Sequence, residues 1–150
     1  MDGVWKFLHI AAMFLAVSIF VGQGMLVGAV ARSGDVVALR RVLSAESRFA
    51  PLGGAFFALG IVFGFVTAIS ADLDLTQTWL VISYVLTAFI FVNGVTYHQT
   101  QAEKLKAAAA SGDGEAARGL ASAPSAVVMN VIDGVAWLAI IYLMVAKPFG

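Results

Sequence analysis

Four long runs of apolar residues constrain this chain more than any other feature: residues 4–30, 52–71, 78–97 and 126–146. A helix needs about 20 mostly apolar residues to cross about 30 Å of hydrocarbon. Each run meets that length. In lipid the backbone N–H and C=O groups must bond inside their own segment, which favours helices. A membrane β-barrel would instead alternate polar and apolar every second residue, and these runs are apolar on all sides. The expected fold is therefore all-α: an integral membrane four-helix bundle forming a single transmembrane domain over residues 1–150. The third helix should continue to about residue 100, leaving inner loops at 31–51 and 101–125.

Composition agrees. Hydrophobic residues make up 61% of the chain and charged residues 12%, against about 45–50% and about 25% in soluble domains. The formal net charge is zero, which argues against a nucleic-acid binder, since that needs a basic face. There are no cysteines, so disulfides, zinc-thiolate sites, iron–sulfur clusters and thiol nucleophiles are excluded. Two histidines, His9 and His98, limit the metal chemistry.

Charge also sets the expected orientation. Arg32, Arg40, Arg41 and Arg48 lie between the first two runs, and Lys104, Lys106 and Arg118 between the last two. The middle connection carries Asp72 and Asp74 but no Lys or Arg. Positive loops stay on the cytoplasmic side. Both termini are therefore expected outside, with Trp5 and Trp79 in the outer aromatic belt and Tyr97 in the inner one. Ala29-Val30-Ala31 has the small residues of a signal-peptidase site. The apolar run before it is longer than a signal core and opens with both Asp2 and Lys6, so it reads as a retained helix.

The inner loops carry pattern of their own. Ser33-Gly34-Asp35, followed by Val36, Leu39, Val42 and Leu43, predicts a capped amphipathic helix on the membrane surface. Residues 101–110, rich in Ala, Glu and Lys, predict a cytoplasmic extension of the third helix, broken at Ser111-Gly112-Asp113-Gly114. Ser-Gly-Asp-x-x-Ala-x-Arg occurs twice, at 33–40 and at 111–118, and Pro51 and Pro124 follow the two copies. Duplication of a helix hairpin and chance in a chain of simple composition both account for this.

In lipid, helix association depends on close packing of small residues. Gly24-x-x-x-Gly28 and Gly60-x-x-x-Gly64 are such patterns. They mark helix packing, or room for a flat cofactor or a partner's helix. Polar residues inside a span are rare and point to function or to interhelical hydrogen bonds. Gln23, Asn93, Asn130 and Asp133 all fall in the inner half of their spans and are expected to form one polar layer. Asp133 is its most expensive member, a candidate proton carrier or a partner for Arg48.

Helix four presents Asn130, Asp133, Trp137, Ile141 and Met144 on one side, and helix three presents Tyr84, Thr87, Phe91, Gly94 and His98. Helix one presents His9, Ala12, Met13, Ala16 and Gln23. A histidine beside small residues suits a haem b site; at a membrane end it also suits headgroup contact. His9 and His98 stand at opposite membrane faces, about 30 Å apart by helix rise, too far to share one iron. Met144 near His9, or Met129 near His98, is then the second ligand, unless one position stays open.

The opening Trp5-Lys6-Phe7-Leu8-His9-Ile10 and closing Tyr142-Leu143-Met144-Val145-Ala146-Lys147-Pro148, with Ala50-Pro51 opening helix two, resemble a predicted integral membrane family of unknown function. The resemblance implies membership of a bacterial superfamily that also includes the copper-resistance D domain and the J-type membrane protoporphyrinogen oxidase. The resemblance implies that His9 ligates haem or a metal. It does not carry over the oxidase site, because helix one here continues with Phe14, Val17 and Gly22-Gln23-Gly24. Copper transport lacks a cluster: Met1, Met13, Met25, Met129 and Met144 are scattered.

No nucleophile–base pair, phosphate loop or metalloprotease motif is present, and no catalytic residue is assigned. Three classes remain for a bacterial inner-membrane protein of this kind. One is a haem b redox or electron-transfer component using His9, Met144 or His98. Another is a non-catalytic accessory subunit that packs, through its glycine faces, on other membrane subunits or on copies of itself. The third is a small ion or metal carrier built on the polar layer.

Overall fold

A computed structural model describes residues 2–148, and all regular structure among them is helical. The elements are α1 (Asp2–Ser33), α2 (Val36–Ser70), α3 (Thr78–Asn93), a π turn (Gly94–His98), α4 (Gln99–Ser111), α5 (Gly114–Ser122) and α6 (Pro124–Ala146). Four helical stretches are long and apolar enough to cross a membrane: Gly3–Ser33, Val36–Ser70, Thr78–Ser111 and Pro124–Ala146. The expected all-α membrane fold is what the chain adopts. Met1 lies outside the described residues.

The inner segments differ from expectation. Residues 31–51 are not a loop with a separate surface helix. The helix that starts at Val36 runs without a break through Pro51 into the second span. Proline leaves one backbone carbonyl without its helical donor. The turn survives because the helix on both sides is anchored: Leu39 and Leu43 are buried before it, and Gly53 and Phe57 after it. Residues 101–125 are likewise mostly helical. α4 extends the third span as far as Ser111, and Gly112 stops it in the left-handed region at φ +77°. The short α5 was not anticipated. Asp113 starts it by accepting a hydrogen bond from the Ala116 N–H at 2.8 Å. Pro124 then opens α6 at a position where no N–H is needed.

The two Ser-Gly-Asp copies share a backbone shape. Gly34 ends α1 at φ +76° and Gly112 ends α4 at φ +77°, a conformation that costs a residue with a Cβ about 1–2 kcal/mol.

The helices gather into two compact units, among the described residues 2–30 with 37–74, and 31–36 with 75–148. In the first, α1 and α2 run antiparallel. Trp5 meets Phe63 with ring centroids 6.1 Å apart, and Phe20 meets Phe57 at 6.4 Å. Between these, Met13 packs on Gly60, His9 on Gly64, and Ile19 and Phe20 on Gly53. Glycine lets the helices close up at these crossings, because a Cβ would displace the α1 side chains that lie there. At Gly24 a Cβ would meet nothing within 4 Å.

In the second unit α3 and α4 pack with α5 and α6. Trp79, at the start of α3, is buried and carries the Lys147 ammonium 5.5 Å from its ring centroid, at the end of α6. The two strands of contact from Trp79–Lys147 to Asn93–Asp133 show that α3 and α6 are also antiparallel. Arg118 of α5 donates to the carbonyls of Arg32 and Ser33, each at 3.1 Å. These carbonyls end α1 and lack helical donors.

Candidate functional site

The polar side chains of the second unit converge on Asp133. It stands on α6, inside an apolar helix, where an ionised carboxylate is expensive unless it is paired. Asn93, the last residue of α3 and buried, donates from Nδ2 to Asp133 Oδ1 at 2.7 Å. His98 Nε2 lies 2.5 Å from Asp133 Oδ2. One carboxylate is thus held by two residues from the third span.

Helical geometry explains how both reach it. In an α-helix at 3.6 residues per turn, the residue one turn beyond Asn93 is Tyr97, and His98 points elsewhere. The π turn over Gly94–His98 adds one residue to that turn and brings His98 onto the face of Asn93. Tyr97 is displaced beside the imidazole, its ring edge-on to His98 at 5.4 Å between centroids. Gln101, one turn further on, donates from Nε2 to the Tyr97 hydroxyl at 3.1 Å.

The arrangement fixes where a proton can sit. Asn93 offers an N–H to Oδ1, so Oδ1 acts as an acceptor. A proton on the pair therefore lies between Oδ2 and Nε2. With the carboxylate ionised, His98 N–H donates to it; with the carboxyl neutral, its O–H donates to the imidazole. The His98 side chain is 40% exposed and that of Asp133 17%. His98 is the outward member of the pair and Asp133 the inward one.

The remaining predicted residues lie elsewhere. Gln23, on α1, lines an open crevice of about 180 Å³ with Leu26, Val27, Val42, Ala45, Glu46 and Phe49. Asn130 is exposed on α6. Of the four expected layer residues, the structure joins Asn93 and Asp133 to each other, and adds His98. Sequence alone offers His98 as a haem ligand or a headgroup contact and does not place it in this layer, because a π turn leaves no composition signal.

His9 belongs to the α1–α2 pair. Its Nδ1 lies 2.7 Å from the Gly60 carbonyl oxygen. A carbonyl only accepts, so Nδ1 carries the hydrogen, and in a neutral ring the lone pair is on Nε2. The ring rests on Gly64. Met144 and Met129 are half-buried on α6. No group of three or more His, Cys, Asp and Glu side chains that could hold a metal ion occurs among the described residues.

The model of a family described as predicted integral membrane proteins, DUF2269, matches residues 3–148. The chain belongs to the DUF2269 family. The match takes in all four apolar helices and both histidines, so the DUF2269 protein is a multi-pass integral membrane protein. No curated protein and no solved structure matches it.

Proposed function

We propose that this DUF2269 protein is a small proton-exchanging membrane carrier, in which Asp133 and His98 bear the proton and Asn93 orients the carboxylate. The observation that carries the reading is the shared contact of Asn93 and His98 with the two oxygens of Asp133. A carboxylate in a span costs about 2.5–3.5 kcal/mol at the centre of a helix on insertion scales. An imidazole partner and an amide donor offset that cost while leaving one proton free to move between two atoms. Structural hydrogen bonds between membrane helices average only about 0.6 kcal/mol, so an ionisable pair is an expensive choice for packing alone. With the loop arginines and lysines inside and both termini outside, the pair stands toward the inner face of a bacterial cytoplasmic membrane, with His98 at its mouth.

The reading is tested in liposomes containing the purified protein and a trapped pH indicator, under a potassium diffusion potential. The intact protein should speed acidification over protein-free liposomes, and Asp133→Asn should remove the gain. Equal rates with and without protein, or an unchanged rate in the variant, would refute it.

A second reading is a haem b redox component using His9, and the Nδ1 bond to Gly60 favours it. A backbone carbonyl on Nδ1 orients a ligating imidazole and leaves Nε2 for the iron. His98 is less suited, because its Nε2 already faces Asp133. On this reading the bound haem would supply one-electron chemistry. Kinship with the copper-resistance D domain and the J-type oxidase would fit it. The purified protein would then show a Soret band that His9→Ala abolishes; a colourless protein with an intact fold would exclude it. An accessory role predicts neither flux nor colour, and a partner subunit that co-purifies.

A further inference from the structure

The π turn is wedged between two packed segments of one continuous helix. Before it, Trp79, Leu80, Ser83 and Asn93 are buried on α3. After it, Leu105, Ala108 and Ala109 are buried on α4. If the whole helix reverted to α form, every residue beyond the turn would shift by one position. Lys104 would then take the buried place of Leu105, so the extra residue is locked in between the two segments. It is not locked at one site. Moving a π turn along a helix displaces only the residues it passes and leaves both ends in register. Moved by one turn toward α4, it would restore α spacing after Asn93 and put Tyr97, in place of His98, opposite Asp133.

We propose that the Gly94–His98 π turn is a movable joint that exchanges His98 for Tyr97 against Asp133. The proposal rests on the proton-exchange reading and names how that site is regulated. His98 carries its proton off the carboxyl group when the joint moves, and the Tyr97 hydroxyl takes its place. Tyr97 is equipped for this. Its oxygen already accepts from Gln101, which leaves its own O–H free to donate to a carboxylate. The surroundings also allow the motion. Gly94, at the start of the turn, has no heavy atom within 4 Å of where a Cβ would stand. Val95 is 50% exposed, so its side chain does not pin the turn against a neighbour. π turns interrupt α-helices mostly as single turns, frequently at functional sites. If the extra residue served only to bring His98 to Asn93's face, removing it would do the same: one residue fewer places His98 four positions after Asn93.

Deletion of Val95 therefore separates the joint from the site. The shortened helix is regular, keeps the packing of α3 and α4, and keeps His98 on Asp133. The chain has two histidines, so ¹⁵N-histidine NMR of the full-length protein in nanodiscs reads His98 with His9 as internal control. Two His98 environments, or exchange broadening, are expected in the intact protein, collapsing to one carboxylate-bonded signal on deletion, with His9 unchanged. One sharp His98 signal, the same in both proteins, would overturn the joint. Should the deletion prevent folding, Tyr97→Phe serves instead. It removes the hydroxyl that stabilises the alternative state, and the second His98 signal should be lost. Its persistence would overturn the proposal. A two-state His98 that collapses on deletion, in a protein without Asp133-dependent flux, would support the joint and refute proton transport.

Discussion

Asn93 and His98 stand five residues apart in one helix, yet they hold the two oxygens of the same carboxylate. Regular α spacing does not allow this; the π turn does. From that relationship comes the first prediction. Exchanging Tyr97 and His98 in place, as the double variant Tyr97→His with His98→Tyr, keeps composition and hydropathy but puts a phenol on Asp133. Proton flux should fall while the protein still folds, because the histidine then meets Asp133 only when the turn has moved. Flux equal to that of the intact protein would show that the spacing is unimportant.

Replacing Asp133 by leucine should destabilise the protein. It leaves the buried Asn93 amide without its acceptor, and an unsatisfied buried polar group costs about 1–3 kcal/mol. Asp133→Asn keeps a carbonyl for Asn93 and should cost less than half as much. Thermal unfolding in one detergent would compare them, and equal melting temperatures would contradict the account.

The glycines separate into those that pack and those that do not. Gly60→Leu and Gly64→Leu drive side chains into Met13 and His9, and overpacking typically costs about 1–3 kcal/mol. Gly24→Ala meets open space and should be neutral or stabilising by up to about 1 kcal/mol through helix propensity. Melting temperatures should rank in that order. Gly24→Ala as damaging as Gly64→Leu would refute it.

Arg118 reaches the last carbonyls of α1 with two guanidinium nitrogens, Nε and Nη2. Arg118→Ala should cost about 1 kcal/mol, the net value of a typical intramolecular hydrogen bond, and lysine should not restore it, because one ammonium cannot reproduce the fork. Full rescue by Arg118→Lys would show that charge alone matters.

The fold was legible because its cause is coarse. Four apolar runs of span length leave little choice but helices, and Ser-Gly-Asp marked both helix ends where glycine turns left-handed. A helix starting near Val36 was legible, but its continuation through Pro51 was not: proline and arginines read as a loop, while the burial of Leu39 and Leu43 that holds the helix is a tertiary fact. The site was half legible. Asp133 and Asn93 stood out as polar residues at similar depth, and they do meet. His98 did not join them on paper, because period 3.6 assigns that face to Tyr97. A π turn depends on packing at both ends of a helix, and the local sequence carries no mark of it.

The central claim is that Asp133 gives and takes a proton against His98, and infrared difference spectroscopy of the membrane-reconstituted protein tests it most directly. On acidification a protonated-carboxyl band should appear and reverse, vanish in Asp133→Asn, and shift in His98→Gln, which keeps a polar side chain but cannot exchange the proton. A carboxyl band that is insensitive to pH while the protein stays folded, or one that survives Asp133→Asn unchanged, would contradict the account.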